Sequence, residues 1–296
     1  MKFKYRRYLL YYLARSAAFL VHLVPIKIAL RLADLVGAGA FFILGKYRRI
    51  AIDNLHSAFG PAKTDTEVRR IAKGVFRNLC RIGVELLHFP SITRENIGKI
   101  VRVDGLDRLD KALSAGKGVL LLTGHFGNWE LLALTIIVLG YDGSAIGRRI
   151  YFYKYDRFLN YLRRTKGVNV IYRDDSPKKI LKVLRENKII GILADQDVDS
   201  VDGVFVNFFG RPAHTPVGPV LLARVSGAAI VPAFMVREGS RHTLHIEEPV
   251  ELADTGDKER DAVENTRRWS EVLESYIRKY PEQWVWIHRR WKTVKR

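Results

Sequence analysis

An imidazole and a carboxylate five positions apart, His125 and Glu130, are the residues of this sequence best suited to acid–base chemistry. A histidine backed by an acid makes a hydroxyl nucleophilic near neutral pH. The ring takes the proton, while the carboxylate fixes the tautomer and stabilises the imidazolium. No Ser or Cys lies beside His125, and the only cysteine, Cys80, falls in a helical pattern. The expected nucleophile is therefore an alcohol on the substrate. The plainer alternative is that Glu130 complements a helix dipole and His125 is a satisfied turn residue.

The surrounding elements decide whether the pair can form. Val119 to Leu122 is an apolar run suited to a buried strand. The chain then breaks at Gly124-His125-Phe126-Gly127. Asn128 is a good N-cap, and Trp129-Glu130 open an apolar helix ending near Gly140. His125 thus sits on the C-terminal lip of a strand, where open α/β sheets bind ligands. On one continuous helix a five-residue spacing holds side chains roughly 140° apart, so the pair needs the turn that the two glycines permit.

The same alternation continues along the chain. Asp107 to Ala115 reads as a helix, Gly143 to Gly147 as a strand ending at Arg148-Arg149, and Tyr151 to Lys166 as a helix of interleaved aromatics and bases. Asn169 to Tyr172 is a strand. Ser176 (N-cap) and Pro177 (N1) open a helix that runs to Asn187. Ile189 to Leu193 is a further buried strand, delivering Asp195-Gln196-Asp197 to its lip. Ala229 to Val236 and Thr243 to Ile246 read as later strands, Val217 to Ser226 as an apolar helix, and Asp257 to Tyr280 as a long charged helix. Strands alternating with helices predict an α/β fold with a mainly parallel sheet flanked by helices.

The bulk numbers narrow the function. Fifty Lys and Arg against 31 Asp and Glu leave a net charge of +19, which calls for an anionic partner. No nucleic-acid module is recognisable. A single cysteine excludes an internal disulfide framework. No ligand cluster has zinc spacing, and Asp195-Gln196-Asp197 without a third ligand makes a poor cation site, so no metal is expected.

Residues 1–50 hold ten Lys and Arg and one acid, Asp34. Two apolar stretches, Tyr8 to Val24 and Ile26 to Gly45, are separated by Pro25 and interrupted by Arg15, Arg31 and Asp34. Their longest uncharged runs, Ser16 to Ile26 and Leu35 to Gly45, are 11 residues each. A clean span needs about 20, and no cleavable signal is evident. The segment reads as two amphipathic or shallowly inserted helices with a basic, aromatic flank (Lys2, Lys4, Tyr5, Arg6, Arg7, Tyr8). The alternative is helices packed on a soluble domain. The expected division is 1–46 for the membrane-associating helices, 47–98 for a helical connector and 99–296 for the α/β domain. In the connector, Gly60-Pro61 ends one helix and a capping box, Thr64 to Glu67, starts the next.

Four stretches carry a family resemblance: the His-x4-Glu of His125 to Glu130, then Ala194-Asp195-Gln196-Asp197, Phe208-Phe209-Gly210-Arg211-Pro212, and Pro281 to Lys292 (PEQWVWIHRRWK). In order and spacing they resemble the lipid A late acyltransferases (lauroyl/myristoyl) of the glycerolipid acyltransferase superfamily, and more distantly the phosphatidylinositol mannoside acyltransferases. That resemblance implies transfer of a fatty acyl chain from an acyl carrier protein or coenzyme A thioester to a hydroxyl of a lipid A precursor or related glycolipid. The thioester is a co-substrate, and no other cofactor is implied. His125 would be the base and Glu130 its orienter. Arg163, in an Arg-x3-Gly context with Gly167, would face the oxyanion alongside backbone N–H groups near Gly127, and Asp195 would be a further active-site acid that holds an arginine or the acceptor headgroup. Arg164 takes the arginine's place if the register slips. Asn128, Arg148, Arg164, Gln196, Gly210 and Arg211 are the candidate substrate contacts; the Gly-Arg pair would hold an anionic headgroup. Gln196 and Asp197 have the alternative of tying down their turn, and the arginines that of facing water. The aromatic and basic block Trp284 to Lys292 suits a membrane interface.

The implied partners are the glycolipid acceptor, acyl carrier protein and an anionic membrane surface, at the cytoplasmic face of the bacterial inner membrane. No nucleic acid is expected. Competing readings are a non-catalytic basic protein that binds membrane or nucleic acid, an acyltransferase for another lysolipid or aminolipid, and a soluble hydrolase. The last lacks a Gly-x-Ser-x-Gly elbow.

Overall fold

A computed structural model describes residues 2–198 and 200–294, with side chains from Arg6 onward. The side chains of Lys2, Lys4 and Tyr5 in the basic flank, and residues 295–296, lie outside the described residues.

Seven strands form the central sheet. Its middle strand, β2 (Val119–Thr123), pairs in parallel with β5 (Ile189–Leu193) on one side and β8 (Ala229–Glu238) on the other. Beyond β5 lie β3 (Gly143–Gly147) and β4 (Asn169–Tyr172), also parallel. Beyond β8 lie β9 (Arg241–Ile246), antiparallel to β8, and β1 (Val101–Asp104), parallel to β9. The mainly parallel α/β sheet expected from the alternation is present. One further hairpin, β6 (Gly203–Phe208) and β7 (Arg211–Pro216), stands outside it. Its alternation was masked by the Phe-Phe-Gly-Arg-Pro block, where Phe209 and Gly210 turn the chain with φ of +54° and +75°.

All five residues of β2 are buried, which explains an apolar run without polar alternation: both sheet faces are covered. Successive side chains point to opposite faces. Val119 and Leu121 meet α5 (Leu106–Ser114) and α6 (Trp129–Val138) in one core. Leu120 and Leu122 join a core with α8 (Pro177–Arg185), α9 (Gly218–Ser226) and α10 (Lys258–Lys279).

Four helices precede the sheet: α1 (Lys2–Leu23), α2 (Ile26–Ile43), α3 (Gly45–Phe59) and α4 (Asp65–Leu87). The Thr64–Glu67 capping box forms as expected. Ala29, Ala33, Gly37 and Phe41 make the buried stripe of α2, and it lies hard against α4: a Cβ on Gly37 would sit 2.6 Å from Arg77 Cα. Asp34, which interrupts the apolar run, pairs with Arg81 of α4 at 2.5 and 2.6 Å. The other face of α2 leaves Leu35, Val36 and Ile43 exposed at 70%, 62% and 81%. Helix α1 meets α7 (Tyr153–Arg164) through rings and cations: Tyr11 lies edge-on to Tyr155, and Arg15 stacks over Phe158. No single helix among the described residues is long and apolar enough to cross a membrane; the bent pair Ile26–Ile43 and Gly45–Ala62, at 90°, meets that test only jointly.

Candidate active site

The strand register brings the chemistry together. In the β2–β5 ladder Thr123 stands opposite Leu193. Two residues further along each chain come His125 and Asp195. The Asp195 carboxylate, 1% exposed, accepts hydrogen bonds from His125 Nδ1 at Oδ1 and from the His125 backbone N–H at Oδ2, both at 2.8 Å. Trp284 Nε1 donates to the same Oδ2 at 2.8 Å. Burial pushes this carboxyl up, but the charge and hydrogen bonds of His125 and the indole N–H outweigh it and hold it at about 2. An ionised Asp195 can only accept, so Nδ1 carries the proton and Nε2 is left as the basic nitrogen on a ring that lines the cleft.

The expectation that Glu130 orients His125 is therefore corrected. Glu130 opens α6 and grips Arg163 of α7 in a two-pronged pair, Nε to Oε2 at 2.8 Å and Nη2 to Oε1 at 2.5 Å. Burial works against the Arg163 charge, but the Glu130 carboxylate more than offsets it and the pKa is raised. Spacing along the chain pointed to the nearer acid. The sheet instead supplied one 70 residues away.

The turn between β2 and α6 admits little substitution. Gly127 has φ of +59°, and a Cβ there would lie 1.5 Å from Met235 O. Its N–H donates to Gln283 O at 2.9 Å, and the Asn128 N–H to Met235 O at 3.3 Å. The His125 N–H goes to Asp195 and the Phe126 N–H to Gly124 O. The N–H groups of residues 125–128, among those expected to face an oxyanion, are thus committed to holding the turn.

Asn128, a candidate substrate contact, is also structural: it is fully buried, caps α6 by accepting from the Leu131 N–H, and donates to Glu85 Oε2 at 2.6 Å. Glu85 of α4 in turn pairs through both oxygens with Arg237 of β8, whose Nε donates to Asn78 Oδ1 at 3.0 Å. Asn78 Nδ2 donates to Gly127 O, and Gln283 clasps the Arg237 backbone at both N–H and C=O. Burial raises the Glu85 carboxyl, yet Arg237 and His242 bring it down to about 2.

Around the dyad opens a cleft of about 580 Å³. Leu121, Leu132, Ala133, Val168 and Gly191 wall its interior, and the same residues continue into a narrow apolar slot reaching Ile136, Ile137 and Gly143. Arg148, Arg163, Arg173, Gln196, His288 and Lys292 stand on its polar side. Arg148 and Gln196, candidate substrate contacts, and Arg163, the candidate oxyanion arginine, all line the cleft. Arg164 is exposed and outside it. Gly210 and Arg211 occupy the far tip of the β6–β7 hairpin, whose other end supplies Pro216 to the cleft. Arg211 stacks there on Trp291, 5.4 Å from the ring centre.

Asp197 is fully buried and anchors the C-terminal segment, accepting from the Thr293 N–H and hydroxyl at 2.8 and 2.7 Å. Within the Trp284 to Lys292 block, Trp284, Trp286 and Arg290 are interior, at 3%, 0% and 1% exposed, while Arg289 and Lys292 are exposed. Trp284 bridges in antiparallel fashion to Phe126, and the Val285 N–H donates to His125 O, so this segment clamps the histidine turn. Nothing local to Arg173 and Lys292 signals that they share the cleft, nor to Trp284 that it backs Asp195.

An imidazole with one free basic nitrogen, an ionised buried acid behind it, a cationic rim and an apolar slot can together deprotonate an alcohol beside a long hydrocarbon chain. Sequence comparison agrees in kind. The model of the family described as bacterial lipid A biosynthesis acyltransferase matches residues 1–293. The lipid A biosynthesis lauroyltransferase of Escherichia coli is 27% identical over 301 residues, 97% of this chain and 92% of the relative. The lipid A biosynthesis palmitoleoyltransferase of the same organism is 26% identical over 303 residues, 99% and 94% respectively. The phosphatidylinositol mannoside acyltransferase of Mycobacterium tuberculosis is 27% identical over 214 residues, 70% of this chain and 66% of the relative, just under two thirds of its length.

Proposed function

This chain belongs to the bacterial lipid A biosynthesis acyltransferase family, and we propose that it moves a fatty acyl chain from an acyl carrier protein or coenzyme A thioester to a hydroxyl of a lipid A precursor or related glycolipid. The observation that carries this reading is the His125–Asp195 dyad at the mouth of an apolar slot. His125 Nε2 takes the acceptor's hydroxyl proton as its oxygen attacks the thioester carbonyl. The C–O bond forms, the tetrahedral oxyanion collapses, the C–S bond breaks, and the imidazolium returns the proton to the departing thiolate. Asp195 stays ionised throughout and steadies the imidazolium.

With the N–H groups of His125, Phe126, Gly127 and Asn128 committed to the turn, side chains on the rim are placed to meet the oxyanion. Arg163 is aimed by Glu130 and keeps Nη1 nearly free, with one 3.4 Å contact to Asn160. Arg148 stands on the same rim. This makes Glu130 a positioning residue for Arg163 rather than for His125.

The apolar slot takes the acyl chain. A Cβ on Gly191 would make only ordinary contacts, 3.9 Å to Ala145 Cα and Ser144 O, and Gly191 lines the slot, so a side chain there occupies it. Gly191→Leu is expected to favour shorter donors, losing roughly fourfold in kcat/KM for each methylene no longer buried, at about 0.8 kcal/mol apiece. Competition between donors of different length, read by mass spectrometry, checks this; an unchanged preference would place the chain elsewhere.

The exposed apolar face of α1 and α2 holds the protein on the membrane, at the cytoplasmic face of the inner membrane where thioester donors are found. Deleting these helices would uncover α4, so the better test is Leu35→Glu with Val36→Glu. We expect that pair to shift the protein toward the soluble fraction with the fold intact by circular dichroism. The function itself is tested by offering purified protein acyl-carrier-protein and coenzyme A donors against a panel of glycolipid acceptors. The expected result is an ester product that vanishes with His125→Ala. Product formation at the wild-type rate by that variant would reject the mechanism, and the absence of any product would reject the function.

A further inference from the structure

A second concavity, of about 470 Å³, lies across the C-terminal segment from the dyad. It is lined by Lys46 and Arg49 of α3, by Arg289, and by Ile50, Asp53 and Asn54. Asn54 fixes its floor, donating to Trp286 O at 2.7 Å and to His288 O at 2.6 Å. The same short segment therefore sends His288 into the catalytic cleft and Arg289 into this second pocket.

Among the described residues, Lys46, Arg49 and Arg289 form no ion pair and no side-chain hydrogen bond, and Asp53 is the one acid in the lining. Nor do they serve helix α3: its first turn holds no acid, and bases there oppose the helix dipole. Arg48 differs, because its guanidinium closes the end of α2 by donating to Phe41 O and Phe42 O.

The neighbouring surface identifies the ligand class. At the corner joining α2 to α3, Phe42, Ile43 and Tyr47 are 62%, 81% and 45% exposed, within a few residues of Lys46 and Arg49 along the chain. Exposed apolar side chains near bases that lack a partner among the described residues fit the boundary layer of a bilayer, with hydrocarbon below and phosphate above. Nucleic acid or a soluble anion gives no reason for the exposed Phe and Ile. We propose that Lys46, Arg49 and Arg289 form a binding site for a lipid-borne phosphate, separate from the catalytic cleft. This rests on the membrane reading above but not on the chemistry assigned to His125. The phosphate belongs either to the glycolipid acceptor, which then reaches around the 286–290 segment, or to a bulk anionic phospholipid.

The test uses full-length protein carrying Lys46→Gln, Arg49→Gln and Arg289→Gln together. A control triple on α8, Lys178→Gln, Lys182→Gln and Arg185→Gln, loses the same charge. Flotation with vesicles of phosphatidylcholine, with and without phosphatidylglycerol, reads bulk phospholipid. In parallel, turnover in neutral detergent compares a phosphorylated glycolipid acceptor with its dephosphorylated form. Each base near an anionic surface is worth about fivefold in binding. If bulk lipid is the ligand, the pocket triple loses its preference for phosphatidylglycerol by ten- to one-hundredfold while the control loses far less. If the acceptor's phosphate is the ligand, KM for the phosphorylated acceptor rises by a similar factor at unchanged kcat, and the dephosphorylated acceptor is unaffected. A pocket triple that matches the control triple in both measurements overturns the proposal. Loss of turnover with either acceptor while vesicle preference persists also overturns it, since that pattern marks a catalytic defect. If wild type turns over no acceptor, flotation is repeated with the phosphorylated and dephosphorylated glycolipids in phosphatidylcholine vesicles, and a pocket triple that matches the control triple there and with phosphatidylglycerol overturns the proposal.

Discussion

Asp195→Asn is expected to lower kcat by about 10⁴-fold while leaving the protein folded and able to bind lipid, the scale seen when a buried acid behind a catalytic histidine becomes an amide. The geometry gives the reason. Oδ2 accepts two N–H groups, from the His125 backbone and from the Trp284 indole. In the asparagine variant the amide oxygen must take that place, since an NH2 group there would face two donors. The amide NH2 then points at His125 Nδ1 and donates to it. Nδ1 becomes the acceptor, the ring proton moves to Nε2, and the nitrogen facing the cleft can no longer take a proton. His125→Ala should be at least as damaging. Glu130→Gln should cost much less, because it leaves the dyad whole and weakens only the aim of Arg163. Single-turnover acyl transfer across the three variants checks the order; a Glu130→Gln defect equal to that of Asp195→Asn would restore Glu130 as the partner of His125.

The largest expected effect on stability comes from Arg237→Met. It removes one partner from a buried ion pair and leaves the Glu85 carboxylate, 8% exposed, with no opposing arginine. Breaking such a pair costs about 3–5 kcal/mol. The loss also reaches function: Glu85 holds Asn128 at the start of α6, and Arg237 holds Asn78 and Gln283, which grip the histidine turn.

The pH dependence identifies the cause. In the wild type Glu85 is depressed from 4.5, and Asp195 from 3.8, to about 2. A depressed carboxyl contributes stability that is complete above its unfolded value and is lost as pH falls through the folded one. Wild-type stability should therefore decline between about pH 4.5 and pH 2. Without Arg237, burial favours the neutral form of Glu85, so the variant gains relative to wild type as that group protonates. The gap between the two denaturation midpoints is expected to narrow on acidification. A gap constant from pH 7 to pH 3 would mean that the pair contributes through packing alone.

These expectations rest on elements of unequal visibility in the sequence. Strand β2, the glycine turn, the Asn128 cap and helix α6 were readable in place, because an apolar run, a cap and a positive-φ glycine are decided within a few residues. The Thr64–Glu67 box and the N1 proline of α8 are equally local. The interior role of Trp284, Trp286 and Arg290 is not legible in the sequence for the converse reason. Tryptophan beside arginine has the same composition at a bilayer surface and in a core, and only burial against Phe126 and Asp195 distinguishes them.

The amino-acid order alone thus determined the α/β alternation, the lip on which His125 sits, and the family through its spaced motifs. It could not determine the acid behind the imidazole. That choice belongs to the β2–β5 register, which sets Thr123 against Leu193 and so His125 against Asp195. Sheet pairing joins residues without regard to their distance along the chain, whereas helical spacing ties Glu130 to the direction in which α6 leaves the turn, toward Arg163. The tertiary structure also decided which bases face the cleft and which, such as Arg211 and Arg164, face elsewhere, because a side chain's surroundings are set by packing between elements.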